Sequence, residues 1–147
     1  MPPLINKWFQ REVRKLADHS QVFHHRERVT IAQINAGYTL LNPARLGKYR
    51  LCDLTLIAIG GAAAGATSVD VKGTRSGSSV SLLVAAVAAL TQSTVARIGA
   101  ANMVVLADGA SFTALDVNTA ITIIKNGSDL TTATHIDVLM EYAVDNF

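Results

Sequence analysis

The stretch SVSLLVAAVAALTQSTV, Ser79 to Val95, runs for seventeen residues without a charge or an aromatic ring. A membrane helix, a buried helix and a buried strand are all compatible with it. Its apolar part, Val80 to Leu90, is eleven residues and ends at Thr91, Gln92 and Ser93. A spanning helix needs about 18–20 apolar residues, so a membrane span is excluded. Ala and Leu favour helix, and Ala85 to Leu90 has room for a turn or two. A Gly/Ser turn precedes the stretch, however, and its neighbours on both sides read as strands. Val80 to Val87 is therefore expected to be a buried strand, apolar on both faces, followed by an irregular link through Thr91.

The neighbouring segments have period two. In HIDVLMEYAV, Ile136, Val138, Met140, Tyr142 and Val144 share one face, with His135, Asp137 and Glu141 on the other. TSVDVKGT sets Val69 and Val71 against Ser68, Asp70 and Lys72, and YRLCDLTLIAIG sets Cys52, Leu54, Leu56 and Ala58 against Asp53 and Thr55. VTIAQINAG and TAITIIKNG are β-branched runs of strand length. Turn signals separate these runs at Asn42-Pro43, Gly60-Gly61, Gly73, Gly77, Asp108-Gly109 and Asn126-Gly127. Short strands with turns every ten residues or so predict an all-β fold, a jelly-roll-like β-sandwich. At 147 residues the chain is expected to form one domain.

Charge divides the chain into two parts. Residues 1–28 carry six basic and three acidic side chains, against seven basic and eight acidic in residues 29–147. A charged amino-terminal arm, 1–28, is thus expected on a nearly neutral sandwich body, 29–147. Up to about Ala17 the arm reads as an amphipathic helix, with Leu4, Ile5, Trp8, Phe9, Val13 and Leu16 recurring at three- and four-residue steps. Arg11, Arg14 and Lys15 lie mainly away from that stripe. One helix cannot bury its own stripe, so Trp8 and Phe9 must dock on the body, on a neighbouring subunit or other protein, or on a membrane surface. The last is disfavoured because Glu12 and Asp18 dilute the cationic face.

Only 16% of residues are charged and 50% are hydrophobic, where about 25% charge is usual. Many outward positions of the body must then be Ala, Thr, Ser, Val or Ile. Such side chains lose little rotamer entropy on packing, which suggests that part of the outer surface is buried in a closed oligomer. A net charge of +2 does not argue for nucleic acid. One cysteine, Cys52, cannot form an internal disulfide, and the amino end has no uninterrupted apolar h-region of a secretory signal.

No catalytic constellation is apparent. A metal centre of the cupin type needs two histidines one residue apart on a strand, and the body has only His135. His19, His24 and His25 make at most a weak metal set, because adjacent strand residues point to opposite sides. GGAAAG (60–65) and GTRSGSSV (73–80) lack the lysine of a phosphate loop, and GTRSG is not a nucleophile elbow. Both read as sheet turns. Asp108, Asp116 and Asn118 are too loosely spaced for a calcium loop. Arg45, Lys48 and Arg50 form a small basic cluster with only Tyr49 for company. Cys52 reads as a buried structural thiol. The expectation is a protein that is not an enzyme, with no cofactor, no metal and no small-molecule substrate.

VTIAQINAGYTLL, LCDLTLIAIGGAAAGATSVDV, MVVLADGASFTALDVNTAITI and GSDLTTATHIDVLMEY resemble small accessory virion proteins of tailed bacteriophages, the capsid cement or decoration proteins. The resemblance covers about four-fifths of the chain and rests on strand and turn patterns. It implies a jelly-roll subunit that assembles as a homotrimer on the outside of the capsid, over joints between major capsid subunits. It also implies assembly in the host cytoplasm, with neither nucleic acid nor membrane as a partner. The arm does not match that pattern. Aromatics and arginines dominate interface energetics, so Trp8, Phe9, Arg11, Arg14, Lys15, Phe23 and Arg26 are the candidates for gripping the capsid or a neighbouring subunit. The alternative is a phage tail or fibre module that binds a host-surface glycan. A hydrolase on a β-sandwich would need a nucleophile, a base or a metal that the sequence does not display.

Overall fold

The computed structural model describes residues 22–43, 47–97, 103–104 and 113–145. The helix expected before Ala17, and with it Trp8, Phe9, Arg11, Arg14 and Lys15, lies outside the described residues. In chain order the elements are β1 (Val22–Thr30), α1 (Ile31–Ala36), β2 (Tyr38–Leu41), β3 (Lys48–Ile59), β4 (Ala64–Arg75), β5 (Ser78–Ala86), a 3-10 turn (Val87–Ala89), β6 (Val95–Arg97), β7 (Met103–Val104), β8 (Ile121–Thr131) and β9 (His135–Asp145). They form a four-stranded antiparallel sheet, β1-β9-β3-β6, and a five-stranded one, β2-β8-β4-β5-β7. Val29, Leu54, Leu56, Ile136 and Val138 of the first and Val69, Val71, Leu83, Ile121 and Ile123 of the second are fully buried in one apolar cluster. The fold is all-β, with the core between two facing sheets.

The segment that opened the sequence reading is β5, followed by the 3-10 turn. Leu83 pairs with Val71 and Ser81 with Lys72, so Leu82 is the extra residue of a bulge. The bulge turns both Leu82 and Leu83 to the core, while Val84 is half-buried and Ala86 exposed on the other side, so the strand is buried on one face and not, as expected, on both.

Four more expectations are corrected. VTIAQINAG is not a single strand: β1 ends at Thr30 and α1 begins at Ile31. Thr30 and Gln33 form a capping box, with Thr30 N–H donating to Gln33 Oε1 at 2.8 Å and Gln33 N–H to Thr30 Oγ1 at 3.3 Å. Ile31 and Ile34, three apart, share the buried face, and the Asn35 side chain exchanges two hydrogen bonds with the Leu130 backbone on β8. This helix carries the chain from one sheet to the other. Second, the division at 28/29 falls inside β1, which pairs with β9 from Val22 to Thr30. The body therefore includes Val22.

Third, Asn126-Gly127 is not a turn. β8 runs through it, and the pairing with β4 shifts register opposite it. Gly127 has φ +91°, and a Cβ there would sit 2.9 Å from Thr67 Oγ1, so glycine permits a bulge rather than a reversal. Gly73 likewise lies within β4. Fourth, Cys52 is not an inward core thiol. Leu51 pairs with Tyr142 and Asp53 with Glu141, leaving Cys52 as a bulge residue of intermediate exposure. Burial still pushes its thiol pKa up.

Candidate functional site

The register of the four-stranded sheet sets its outward side chains in rows across the strands. One row is Arg28, Asp137, Ile57 and Val95; the next is Arg26, Leu139, Thr55 and Arg97; the third is His24, Glu141 and Asp53. Strands lie about 4.8 Å apart, so Arg26 and Arg97 stand about 14 Å apart at opposite margins of the face. Leu139 and Thr55 make the floor between them. An open groove of about 520 Å³ lies over this centre, lined by His24, Arg26, Thr55, Val95, Arg97 and Leu139 among others. Val95 is 60% exposed.

Ion pairs fix most of the rim. Arg28 Nε donates to Asp137 Oδ1 at 2.8 Å and its Nη2 to Oδ2 at 3.3 Å. Arg97 Nε donates to Asp53 Oδ2 at 2.8 Å, and its Nη2 reaches the same oxygen. Hydrogen bonds from the guanidinium groups, against some desolvation, hold both carboxyls below the usual aspartate range. His24 Nδ1 is 3.5 Å from Glu141 Oε1. Arg26 has no carboxylate at ion-pair distance among the described residues. The face thus has a small centre of Leu139, Thr55 and Val95 within a charged rim, and Arg26, outside ion-pair distance, still helps to hold Asp137 low.

Phe23 and Arg26 are both on β1 but not on one face. Phe23 pairs with Tyr142 on the inner side and stacks on it at 5.6 Å between ring centroids, and Tyr142 meets Tyr49 edge-on at 5.4 Å. Arg26 points outward beside Leu139. His24 and His25 diverge as adjacent strand residues must, His24 toward Glu141 and His25 toward Glu27. The Asp116 carboxylate accepts the Ser76 and Gly77 N–H groups at 2.9 and 2.8 Å, closing the β4–β5 hairpin; Asp108 lies outside the described residues. Arg50, of the expected basic cluster, pairs with Asp145. Among the described residues no group of three His, Cys, Asp or Glu side chains is placed to hold a metal.

Leu139, Thr55, Val95, Arg97 and Asp53 were not anticipated as site residues. They come from three strands far apart in sequence, and β6 contributes only VAR, too short for a periodic signal. No family model, curated protein or solved structure matches the chain.

Proposed function

We propose that this chain is a structural virion protein of the capsid cement, or decoration, type. In this reading a jelly-roll body forms a homotrimer on the outside of a bacteriophage capsid, and the arm or loops grip the major capsid protein. The observation that carries the reading is the contrast between the two outer faces. On the five-stranded sheet the outward rows are Thr122, Lys72 and Ser81; Ile124, Asp70 and Val84; and Asn126, Ser68 and Ala86. Its one Asp and one Lys contact each other at 3.9 Å, and Asp70 also accepts from Ser68 Oγ at 2.7 Å. Such a face has little charge to desolvate and suits packing against copies of itself. The arginine-rimmed face is left for a different partner.

Native mass tests the first half. Three full-length chains of 15.6 kDa give about 47 kDa, and a form lacking residues 1–21 should also run at three times its own, smaller chain mass. The cut stops short of β1, since removing 22–28 would strip an edge strand. A monomer at micromolar concentration would remove the support for self-association. Co-sedimentation with capsids tests the second half: Trp8→Ala with Phe9→Ala should release the protein while the trimer persists. The alternative, a glycan-binding tail or fibre module, draws on the Phe23–Tyr142–Tyr49 ring cluster, with Phe23 42% exposed. A glycan array with hits and no saturable capsid binding would favour it.

A further inference from the structure

We propose that Asn126 is a site of covalent modification, where ring closure onto the Gly127 nitrogen replaces the side-chain amide with a carboxylate on the outer face of the five-stranded sheet. The Gly127 nitrogen sheds its proton and bonds to Asn126 Cγ, and the side-chain nitrogen leaves as ammonia. Water then opens the resulting succinimide at either carbonyl, which leaves aspartate or isoaspartate. Asparagine is a thermolabile residue, and the fold decides which asparagine reacts.

Asn35, Asn42, Asn118 and Asn126 are the asparagines among the described residues. The Asn35 amide is held by two hydrogen bonds with the Leu130 backbone. Asn42 precedes Pro43, whose nitrogen has no proton to lose. Asn118 precedes Thr119, whose branched Cβ crowds the nitrogen. Asn126 has none of these restraints. Its side chain is exposed and makes no hydrogen bond with the described residues, and Gly127 has no Cβ in the way.

Ring closure also bends the backbone at Asn126 out of the extended form, which a regular ladder resists. The ladder is irregular here. Ser68 pairs with Asn126, Ala66 with Gly127 and Ala64 with Thr131. Thr67 is therefore an extra residue to one side of Gly127, and Ser128 to Leu130 face Gly65 alone on the other. Such bulges disrupt the pairing between them. The pairing of β8 with β2 has already ended at Ile123, and residues 126–129 are exposed in succession. Lys125 Nζ bonds the Gly127 carbonyl at 3.0 Å, which lies beyond the nitrogen that reacts.

The product changes the face. Asn126 shares a row with Ser68 and Ala86, and Asp70 stands diagonally from it, about 7–8 Å away. A second carboxylate near Asp70 must be desolvated when this face packs against a copy. Modified subunits therefore self-associate less, and this step alone rests on the proposed self-association.

Peptide mass spectrometry of the full-length protein, aged in mildly alkaline buffer with and without urea, reads the chemistry. In the folded protein Asn126 should convert to aspartate and isoaspartate while Asn35, Asn42 and Asn118 keep their amides. Asn126→Gln, which would have to close a larger ring, should stay unmodified. An Asn126 that reacts in urea but not in the fold overturns the proposal, because β8 then keeps the ring from closing. Equal reaction at Asn35 or Asn118 overturns it too, as does aspartate without isoaspartate, the mark of direct hydrolysis. Native mass then compares Asn126→Asp with the unmodified chain. A lower trimer fraction for the variant supports the effect on assembly, and equal assembly refutes it. Monomers in both refute the self-association reading and leave the modification at Asn126 standing.

Discussion

The Tyr38 hydroxyl donates to the Glu27 carboxylate, and this bond joins β2 of one sheet to β1 of the other at the edge that α1 crosses. His25 Nε2 lies 3.0 Å from the second Glu27 oxygen. The hydrogen bond to Glu27, followed by burial, raises the Tyr38 pKa. A raised phenol pKa favours the neutral ring in the folded state. The stabilisation is therefore fully present below the unfolded value, near 10, and is lost as pH rises through the higher folded value. Tyr38→Phe should be less stable than the unmodified protein at about pH 8 and closer to it at about pH 11. Urea melts at the two pH values check this, and a gap that widens with pH contradicts it.

Three carboxylates carry the opposite sign. Asp53 and Asp137 are held low chiefly by hydrogen bonds from Arg97 and Arg28, and Asp116 by the Gly77 and Ser76 N–H groups. A depressed carboxyl pKa gives stability that is present above the unfolded value, near 3.9, and lost as pH falls through the folded one. Acid should thus weaken the fold progressively below about pH 4. Asp137→Asn should lower stability at neutral pH and flatten that acid limb. An unchanged limb would mean that the Arg28 pair does not discriminate between folded and unfolded states.

How much of this was legible in the sequence depends on whether the signal was local. Alternation at Ile136, Val138 and Met140 announced an inner face, and all three are buried. Thr30 and Gln33 carried a helix start in plain view, but the β-branched residues around them outweighed it. Asn126-Gly127 reads as a turn by type, because nothing local says that Thr67 will lie against Gly127 and make it a bulge. The groove was hidden for the same reason. Arg26, Leu139, Thr55 and Arg97 become neighbours only through pairings of strands separated by tens of residues.

Two glycines with similar positive φ make different demands. Gly77, φ +73°, is in the Ser76-Gly77 turn of the β4–β5 hairpin, and a Cβ there meets nothing within 4 Å. Gly77→Ala should cost only the left-handed backbone, about 1–2 kcal/mol. Gly65, φ +91°, would put a Cβ 2.2 Å from the Asp129 carbonyl oxygen. Backbone cannot swing aside as a side chain can, so Gly65→Ala should be the more damaging change. It should also shift the β4–β8 amide resonances, whereas Gly77→Ala leaves them in place. Equal melting losses for the two would contradict the close approach at Gly65.

Thr132 is the residue most at odds with its backbone. It links β8 to β9 with φ +74°, and Ala133 N–H donates back to Thr131 C=O at 2.9 Å, closing a three-residue turn of the strained, positive-φ kind. A β-branched side chain is poorly suited to that region, and such strain amounts to roughly 1–3 kcal/mol. The side chain is exposed, and its one hydrogen-bonding contact is a long one to Thr131 Oγ1 at 3.4 Å. Thr132→Gly should therefore stabilise the protein. The gain should be about 1 kcal/mol, because glycine also loses more chain entropy on folding. Thr131→Gly, one residue earlier in extended strand, is the contrast and should destabilise by roughly 0.5–1 kcal/mol. Paired denaturant titrations decide it: if both glycine variants lose stability, the turn at Thr132 does not have the strained form described.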